Sequence, residues 1–183
     1  LRVHLLQRPS GEGGTHPFDA ARHKPAELRN FLDRAFSRHD GYLPMNDALW
    51  CWRREQRPAS APVAMHTVRS SGGIRGVFAL GQAPIRTDGK PAPKTLLNDY
   101  AALEDPFNAG MCAEMLSASP KGIPTVAACA DTNREDLAVL TGSGFASLAE
   151  ESCMIKPLTR RAESALLRKP ELWYAVTETI VGI

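Results

Sequence analysis

The chain has 183 residues, the length of one ordinary domain with enough sequence to bury a full core. Hydrophobic residues make up 43%, charged residues 23%, and the formal net charge is +2. These values predict a soluble globular protein and argue against nucleic-acid binding. No apolar run approaches the roughly 18 residues of a spanning helix, so we expect no membrane partner.

The four cysteines are widely separated, and each falls within a predicted helix or strand: Cys51, Cys112, Cys129 and Cys153. Because they form none of the close pairs that metal sites use, we interpret them as reduced core thiols and expect no metal. Reduced thiols favour a cytoplasmic location. The chain begins at Leu1, so a first residue was removed, the chain was processed, or it is a piece of a longer protein.

The first half predicts one strand, one helix and an antiparallel meander. Residues 2–7 form a strand candidate, and the glycine-rich stretch 10–14 is a flexible loop. From Pro25, apolar residues recur at the spacing of one helical face: Leu28, Phe31, Leu32, Ala35 and Phe36. Three strands are predicted to follow, over 48–55, 62–69 and 74–83, with a loop over 86–93.

The second half predicts alternating strands and helices. Strands are expected over 95–103, 123–130 and 146–156, and helices over 106–118 and 133–142. Thr132 and Glu135 predict a capping box for the second helix, and Gly142 or Gly144 its end. A helix over 160–168 and a strand over 172–181 complete the chain.

The predicted fold class is therefore α+β in a single domain over residues 1–183. It comprises an N-terminal strand and flexible loop (1–24), a core (25–158) and a C-terminal helix and strand (159–183).

Three features of the second half occur together in a known superfamily. Asn133 is followed by Leu137 and Leu140, then by Gly144-Phe145, and then by the strand Cys153-Met154-Ile155-Lys156. This pattern resembles the GNAT superfamily of acyl-coenzyme A-dependent N-acetyltransferases, over about residues 25–158. The resemblance implies a mixed, mostly antiparallel central sheet flanked by helices. It also implies transfer of an acetyl or other acyl group from acyl-coenzyme A to an amine of a small molecule or peptide.

The phosphate loop departs from that family. GNAT proteins hold the pyrophosphate on backbone amides of a Q/R-x-x-G-x-G/A segment, whereas this chain has Phe107-x-x-Gly110-x-Cys112. Leu140 also stands where the family often has the tyrosine that protonates the leaving thiolate. Residues 101–116 resemble the degenerate phosphate loop of atypical domains that form the second half of tandem acetyltransferases.

The resemblance implies that the pantetheine arm of the coenzyme runs beside the end of the central strand. The small side chains of Ala101 and Ala102 would leave room there; alternatively, they pack under the first helix. Asn133 would contact the pantetheine, or serve in the helix cap. The cofactor-binding residues expected on this basis are Ala101, Ala102, Leu103, Phe107, Ala109, Gly110, Met111 and Asn133.

Transfer to an ammonium substrate needs a general base. Strand alternation predicts that Asp99 shares a face with Leu97 and Ala101, where burial of its carboxylate would favour proton uptake. Glu104 is the other candidate, and Tyr100 is a candidate acid. Alternatively, Asp99 only accepts a hydrogen bond from a neighbouring strand.

Two tryptophans suggest a substrate wall or an interface. Trp50 and Trp52 alternate around Cys51, so the predicted strand projects both rings to one face, and His66 on the next strand is expected near them. Alternatively, the two rings belong to the core and the histidine is structural.

Two functions follow from these observations. One is an acyl-coenzyme A-dependent N-acetyltransferase with Asp99 or Glu104 as base. The other is a non-catalytic GNAT-like module with a degenerate coenzyme site. Such a module would pair with a second copy or with a tandem GNAT domain. The pairing would use the predicted 48–55 strand, which carries the two tryptophans, or the 172–181 strand.

Overall fold

The structure is a computed structural model that describes residues 2–10, 25–37, 44–51, 63–71, 73–87, 89–102 and 109–152. The elements in chain order are β1 Arg2–Arg8, α1 Pro25–Phe36, α2 Asp47–Trp50, β2 Val63–Ser70, β3 Gly73–Thr87, β4 Lys90–Ala102, α3 Ala109–Ser117, β5 Thr125–Ala130, α4 Arg134–Gly142 and β6 Ala146–Ser152. None of these helices is long and apolar enough to cross a membrane. The elements predicted after residue 157 lie outside the described residues, as do Trp52, Leu103, Glu104, Phe107 and Cys153.

In the described ranges, six strands form one mixed sheet in the order β2-β3-β4-β5-β1-β6. Every neighbouring pair is antiparallel except β4 and β5, which are parallel. The predicted α+β, mostly antiparallel architecture is therefore confirmed. The N-terminal strand β1 lies inside the sheet, between β5 and β6, although its sequence indicated only that it is a strand.

The sheet has two covered faces. Strand alternation directs Phe78 and Leu80 to one side, where they pack with residues of α3 and α4. Val77 points to the other side and packs with α1 and α2. We call these the α3/α4 face and the α1 face. The predicted helix from Pro25 is confirmed, and its whole apolar stripe is buried on the α1 face: Leu28, Phe31, Leu32, Ala35 and Phe36.

Helix α3 approaches the sheet closely because β3 carries a glycine beneath it. A β-carbon at Gly76 would lie 2.9 Å from Met111 Sδ and 3.2 Å from the backbone oxygen of Ala101. Any larger residue at position 76 would therefore displace the end of the Met111 side chain and press on the β4 backbone at Ala101.

The strand predicted over 48–55 is wrong where the structure describes it, because residues 47–50 form helix α2. The Asn46 side chain accepts a hydrogen bond from Leu49 N at 2.8 Å, and Trp50 N donates to Asn46 O at 2.9 Å. Asp47 in the first turn forms an ion pair with Arg29 of α1. An asparagine N-cap followed by an acidic first turn thus prevails over the strand propensity of tryptophan.

The loop predicted over 86–93 is also wrong. Strands β3 and β4 remain paired up to Thr87 and Lys90, and Gly89 turns the chain with φ +77°. The prolines that suggested a loop lie where β4 has not yet reached β5, since that pairing starts at Thr95. On a sheet edge the missing proline N–H leaves no hydrogen bond unmade.

The Gly144-Phe145 pair ends helix α4 in a Schellman motif. Gly144 has φ +89°, Phe145 N donates to Leu140 O at 3.1 Å, and Gly144 N donates to Thr141 O at 3.0 Å. The side chains of Phe145 and Leu140 are buried in the same core cluster. Of the two glycines predicted to end the helix, Gly142 and Gly144, it is Gly144 that has the left-handed conformation. Leu140 is a core residue.

The start of α4 differs from the predicted capping box. The N-cap residue is Asn133, not Thr132, and it makes no side-chain cap hydrogen bond. Instead, Asn133 Nδ2 donates to Asp136 Oδ2 at 2.7 Å. The amide is therefore held toward the acidic first turn.

Candidate functional site

The two parallel strands separate before they end. Residues 95–97 of β4 pair with residues 125–127 of β5, and the ladder stops there. Both strands continue, β4 to Ala102 and β5 to Ala130. We call the space between residues 98–102 and 128–130 the β4–β5 cleft. Its walls form no backbone ladder with each other, so backbone groups that are not used elsewhere can hydrogen-bond an inserted chain.

A β-bulge lies in the cleft wall. Val77 pairs with Ala101 and Ala79 with Asn98, so a single β3 residue, Phe78, faces both Asp99 and Tyr100. Asp99 has φ +47°, a left-handed conformation that non-glycine residues seldom adopt. Bulges re-aim side chains and are frequent beside active sites.

The bulge corrects one sequence prediction. Leu97 packs on the α3/α4 face and Ala101 on the α1 face, so Asp99 cannot share one face with both. The inserted residue reverses the alternation on which that prediction depended. Asp99 is buried, with 3% of its surface exposed.

Asn98 carries a buried side-chain amide. It is the first β4 residue beyond the ladder and is 0% exposed, and neither Oδ1 nor Nδ2 has a hydrogen-bond partner among the described residues. An unsatisfied buried polar group costs about 1–3 kcal/mol, so this side chain lowers stability unless something binds it. Sequence reasoning missed Asn98. The available signal was a polar residue preceding Asp99 in an otherwise apolar central strand.

Tyr100 connects the two walls of the cleft. It is buried, and its hydroxyl donates a hydrogen bond to the backbone oxygen of Ala128 on β5 at 3.1 Å. Burial raises the pKa of Tyr100 well above its usual value, and nearby Cys129 and Asp136 raise it further. The hydroxyl therefore keeps its proton at neutral pH and is a hydrogen-bond donor at the cleft.

The buried thiols near Tyr100 are unreactive. Burial, followed by the charge of Asp136, raises the pKa of Cys129 to about 12. Burial also raises the pKa of Cys112, opposed by Ser143 and Arg8. Protonated thiols are poor nucleophiles. The described cysteines are free, and the described ranges contain no group of three or more potential metal ligands.

The expected cofactor-binding residues lie in different settings. Ala101 and Ala102 are buried at the end of β4; Ala101 packs with residues of α1, as the alternative interpretation predicted, and Ala102 packs on the α3/α4 face. Ala109 and Gly110 form the exposed first turn of α3. Met111 packs in the core against Gly76, and half-buried Asn133 precedes α4. The starts of both helices thus follow the separated strand ends, while Leu103 and Phe107 lie outside the described residues.

The expected substrate residues are separated by the sheet. Trp50 is buried on the α1 face, whereas His66 stacks on Phe78 of the α3/α4 face, with ring centroids 5.0 Å apart. The predicted proximity of His66 to Trp50 is therefore wrong, because Trp50 belongs to a helix under the opposite face. The described part of the chain gives these two side chains no common site.

Comparisons with known proteins bear on the fold of the chain. No protein-family model matches the sequence, and no curated protein matches it. Among solved structures, the chain is similar to a GCN5-related N-acetyltransferase from Anabaena variabilis, with a TM-score of 0.52 at 12% identity. That match covers 82% of this chain and 38% of that protein.

On this match, the fold is GNAT-like. A putative GNAT-family acetyltransferase from Novosphingobium aromaticivorans is 16% identical with a TM-score of 0.45, covering 82% of this chain and 62% of that one. N-myristoyltransferase of Saccharomyces cerevisiae, solved with myristoyl-CoA, is 13% identical with a TM-score of 0.46, covering 80% and 45%. The chain therefore spans between 38% and 62% of these proteins' lengths.

Within this GNAT fold, His66 should make stability depend on pH. Burial lowers the pKa of His66 from 6.5 to about 4, so the unfolded chain binds more protons between these values. The contribution of His66 is complete above pH 6.5 and is lost as pH falls toward 4. Between pH 7 and pH 4, we expect His66 to lower the free energy of unfolding by about 3 kcal/mol.

Urea denaturation of the wild type and His66→Leu, at pH 7 and pH 4.5, measures this effect. The variant should lose less stability than the wild type over that interval. Equal losses would show that His66 ionises alike in the folded and unfolded chains.

Proposed function

We propose that the protein is an acyl-coenzyme A-dependent N-acyltransferase that holds the pantetheine arm in the β4–β5 cleft. One observation carries the proposal: β4 and β5 separate after three pairs, and a bulge lies at the point of separation. The GNAT fold supports it, since fold neighbours include acetyltransferases.

The cleft residues fit a pantetheine arm. The arm is a narrow chain with two amides, and the walls offer unpaired backbone edges and small side chains: Ala101, Ala102, Ala128 and Ala130. Asn98 adds a buried donor and acceptor without partners. These are the groups that would hold the arm, and bound acyl-coenzyme A would supply a thioester carbonyl open to attack by an amine.

The remaining parts of the coenzyme would lie toward α3. Free backbone N–H groups in the first turn of a helix attract phosphate, and here that turn contains the exposed residues Ala109 and Gly110. The phosphate loop is proposed to be degenerate, because Phe107 replaces the family's arginine or glutamine.

Two side chains of the bulge supply proton chemistry in this proposal. Asp99 would accept the proton of the ammonium substrate, with Glu104 as the second candidate. Tyr100 would donate its hydroxyl proton toward the leaving sulfur, since its raised pKa keeps it neutral. The acceptor would be an amine of a small molecule or peptide, and the acyl group an acetyl or longer chain.

Thermal unfolding with acetyl-coenzyme A tests the proposal. At about 100 times its dissociation constant, a ligand adds about 2.7 kcal/mol, which raises the melting temperature by about 5–10 °C for a chain of this size. ATP, which has the nucleotide and phosphates without the pantetheine, should give no comparable shift. No shift at millimolar acetyl-coenzyme A would reject the coenzyme site.

The second candidate is a non-catalytic module. Trp50 is buried and adds nothing to the predicted tryptophan surface, while Trp52 lies outside the described residues. Strand β6 supports the module instead: in the sheet formed by the described residues β6 is at the edge, most of its residues are exposed, and Leu148 is 42% exposed. A stable dimer in light scattering, together with indifference to acetyl-coenzyme A, would favour this function.

A further inference from the structure

A cavity of about 410 Å³ lies between α3 and α4, on the α3/α4 face of the sheet. It is at the start of β5, where Arg8 pairs with Thr125. The β4–β5 cleft begins near Ala128 and extends to Ala130, about 10–16 Å farther along the strand at 3.3 Å per residue. The Arg8 end of the cavity and the cleft therefore lie at opposite ends of β5, although the cavity also reaches Ala109 in the first turn of α3.

The charged group of this cavity is the Arg8 guanidinium. Arg8 is the last residue of β1, two positions after core residue Leu6, so alternation directs it to the same face. Arg8 Nε donates to the backbone oxygen of Ser143 at 3.0 Å. In the described part of the chain this is the one hydrogen bond of the guanidinium, so its terminal nitrogens have no acceptor.

The end of α4 holds Arg8 in place. Ser143 immediately precedes Gly144 in the Schellman motif, and a β-carbon at Gly144 would lie 3.6 Å from Arg8 Nε. The guanidinium is half-buried, and its Nε is bound to a fixed carbonyl. An arginine positioned in this way can present two parallel N–H groups to a carboxylate.

The rest of the lining indicates the kind of anion. None of the described lining residues is acidic, so nothing there neutralises the arginine. Leu116 and Ile123 supply apolar wall, and Ser117 supplies a hydroxyl. The volume lies within the range of small-molecule sites. We propose that this cavity binds a small organic acid, with its carboxylate on Arg8 and its apolar body between α3 and β5.

Calorimetric titration of the whole chain with acetate, butyrate and hexanoate tests this site. Each buried methylene should strengthen binding about fourfold, so the affinities should rise along the series. Hexylamine, which has the same apolar body and the opposite charge, should not bind. No binding of hexanoate at 20 mM, or equal binding of hexylamine, would overturn the proposal.

Two variants locate the binding. Arg8→Met should weaken hexanoate binding at least tenfold, and Ala113→Leu, on the exposed side of α3, should do so by filling the cavity without touching the guanidinium. Arg86→Met removes an exposed arginine from the β3–β4 hairpin and should leave binding unchanged. If Arg8→Met fails to fold, Ala113→Leu decides, and unchanged hexanoate affinity in that variant overturns the proposal.

Discussion

Asp99→Asn should reduce the rate of acyl transfer by about 10²–10⁴, because it removes the proposed base and keeps the shape of the side chain. Asparagine tolerates the left-handed conformation that Asp99 adopts at φ +47°, so the bulge should persist. The measurement is the release of coenzyme A thiol from acetyl-coenzyme A with a panel of primary amines, together with the melting temperature of each variant.

Three comparisons make that result specific. Asp47→Asn changes an exposed aspartate of α2 and should leave the rate unchanged. Asp99→Gly removes the carboxylate and the backbone strain together. Its rate of acyl transfer should be as low as that of Asp99→Asn, although its backbone is relaxed. Wild-type rates in Asp99→Asn, with a loss in Glu104→Gln, would assign the base to Glu104.

Several elements could be predicted because their signal lies within the element itself. The stripe from Leu28 to Phe36 specifies the buried face of α1, and the all-apolar run of β5 specifies a strand covered on both faces. The Gly144-Phe145 pair likewise supplies both parts of the motif that ends α4. Gly144 takes the left-handed conformation, and Phe145 is the apolar partner of Leu140.

Other features depend on partners that are distant in sequence. The place of β1 between β5 and β6 is fixed by pairing with both, and a strand pattern alone does not name its neighbours. The bulge exists because β3 and β4 change register at Phe78, which reverses the alternation used to place Asp99. Helix α2 differs from these cases because its signal is local: the Asn46 cap prevails over the strand propensity around Trp50.

These distant pairings also create the candidate site. The C-terminal ends of β4 and β5 could be predicted from the sequence, but the early start of β4 and the separation of the two strands after three pairs could not. Asn98 and Tyr100 acquire their proposed roles only through that separation. Without it, the Ala128 backbone oxygen would belong to the ladder and would not accept the Tyr100 hydroxyl.

Asn98→Leu should raise the stability of the free protein and weaken its binding of acetyl-coenzyme A. The substitution removes two unpartnered polar groups from a fully buried position at nearly constant size, so the free energy of unfolding should rise by about 1–3 kcal/mol. If the amide binds pantetheine, the dissociation constant of acetyl-coenzyme A should rise about tenfold. Urea denaturation measures the first quantity and calorimetric titration the second.

Thr95→Val is the matched control. The hydroxyl of Thr95 is also buried and has no partner in the described part of the chain, but Thr95 pairs with Thr125 inside the β4–β5 ladder and not in the cleft. This variant should gain stability for the same reason and bind acetyl-coenzyme A as the wild type does. If Asn98→Leu also keeps wild-type affinity, Asn98 is only an unsatisfied core residue. A gain in stability with loss of binding, confined to Asn98, would show that the unpaired amide is retained for its ligand, because a stabler leucine fits the same position.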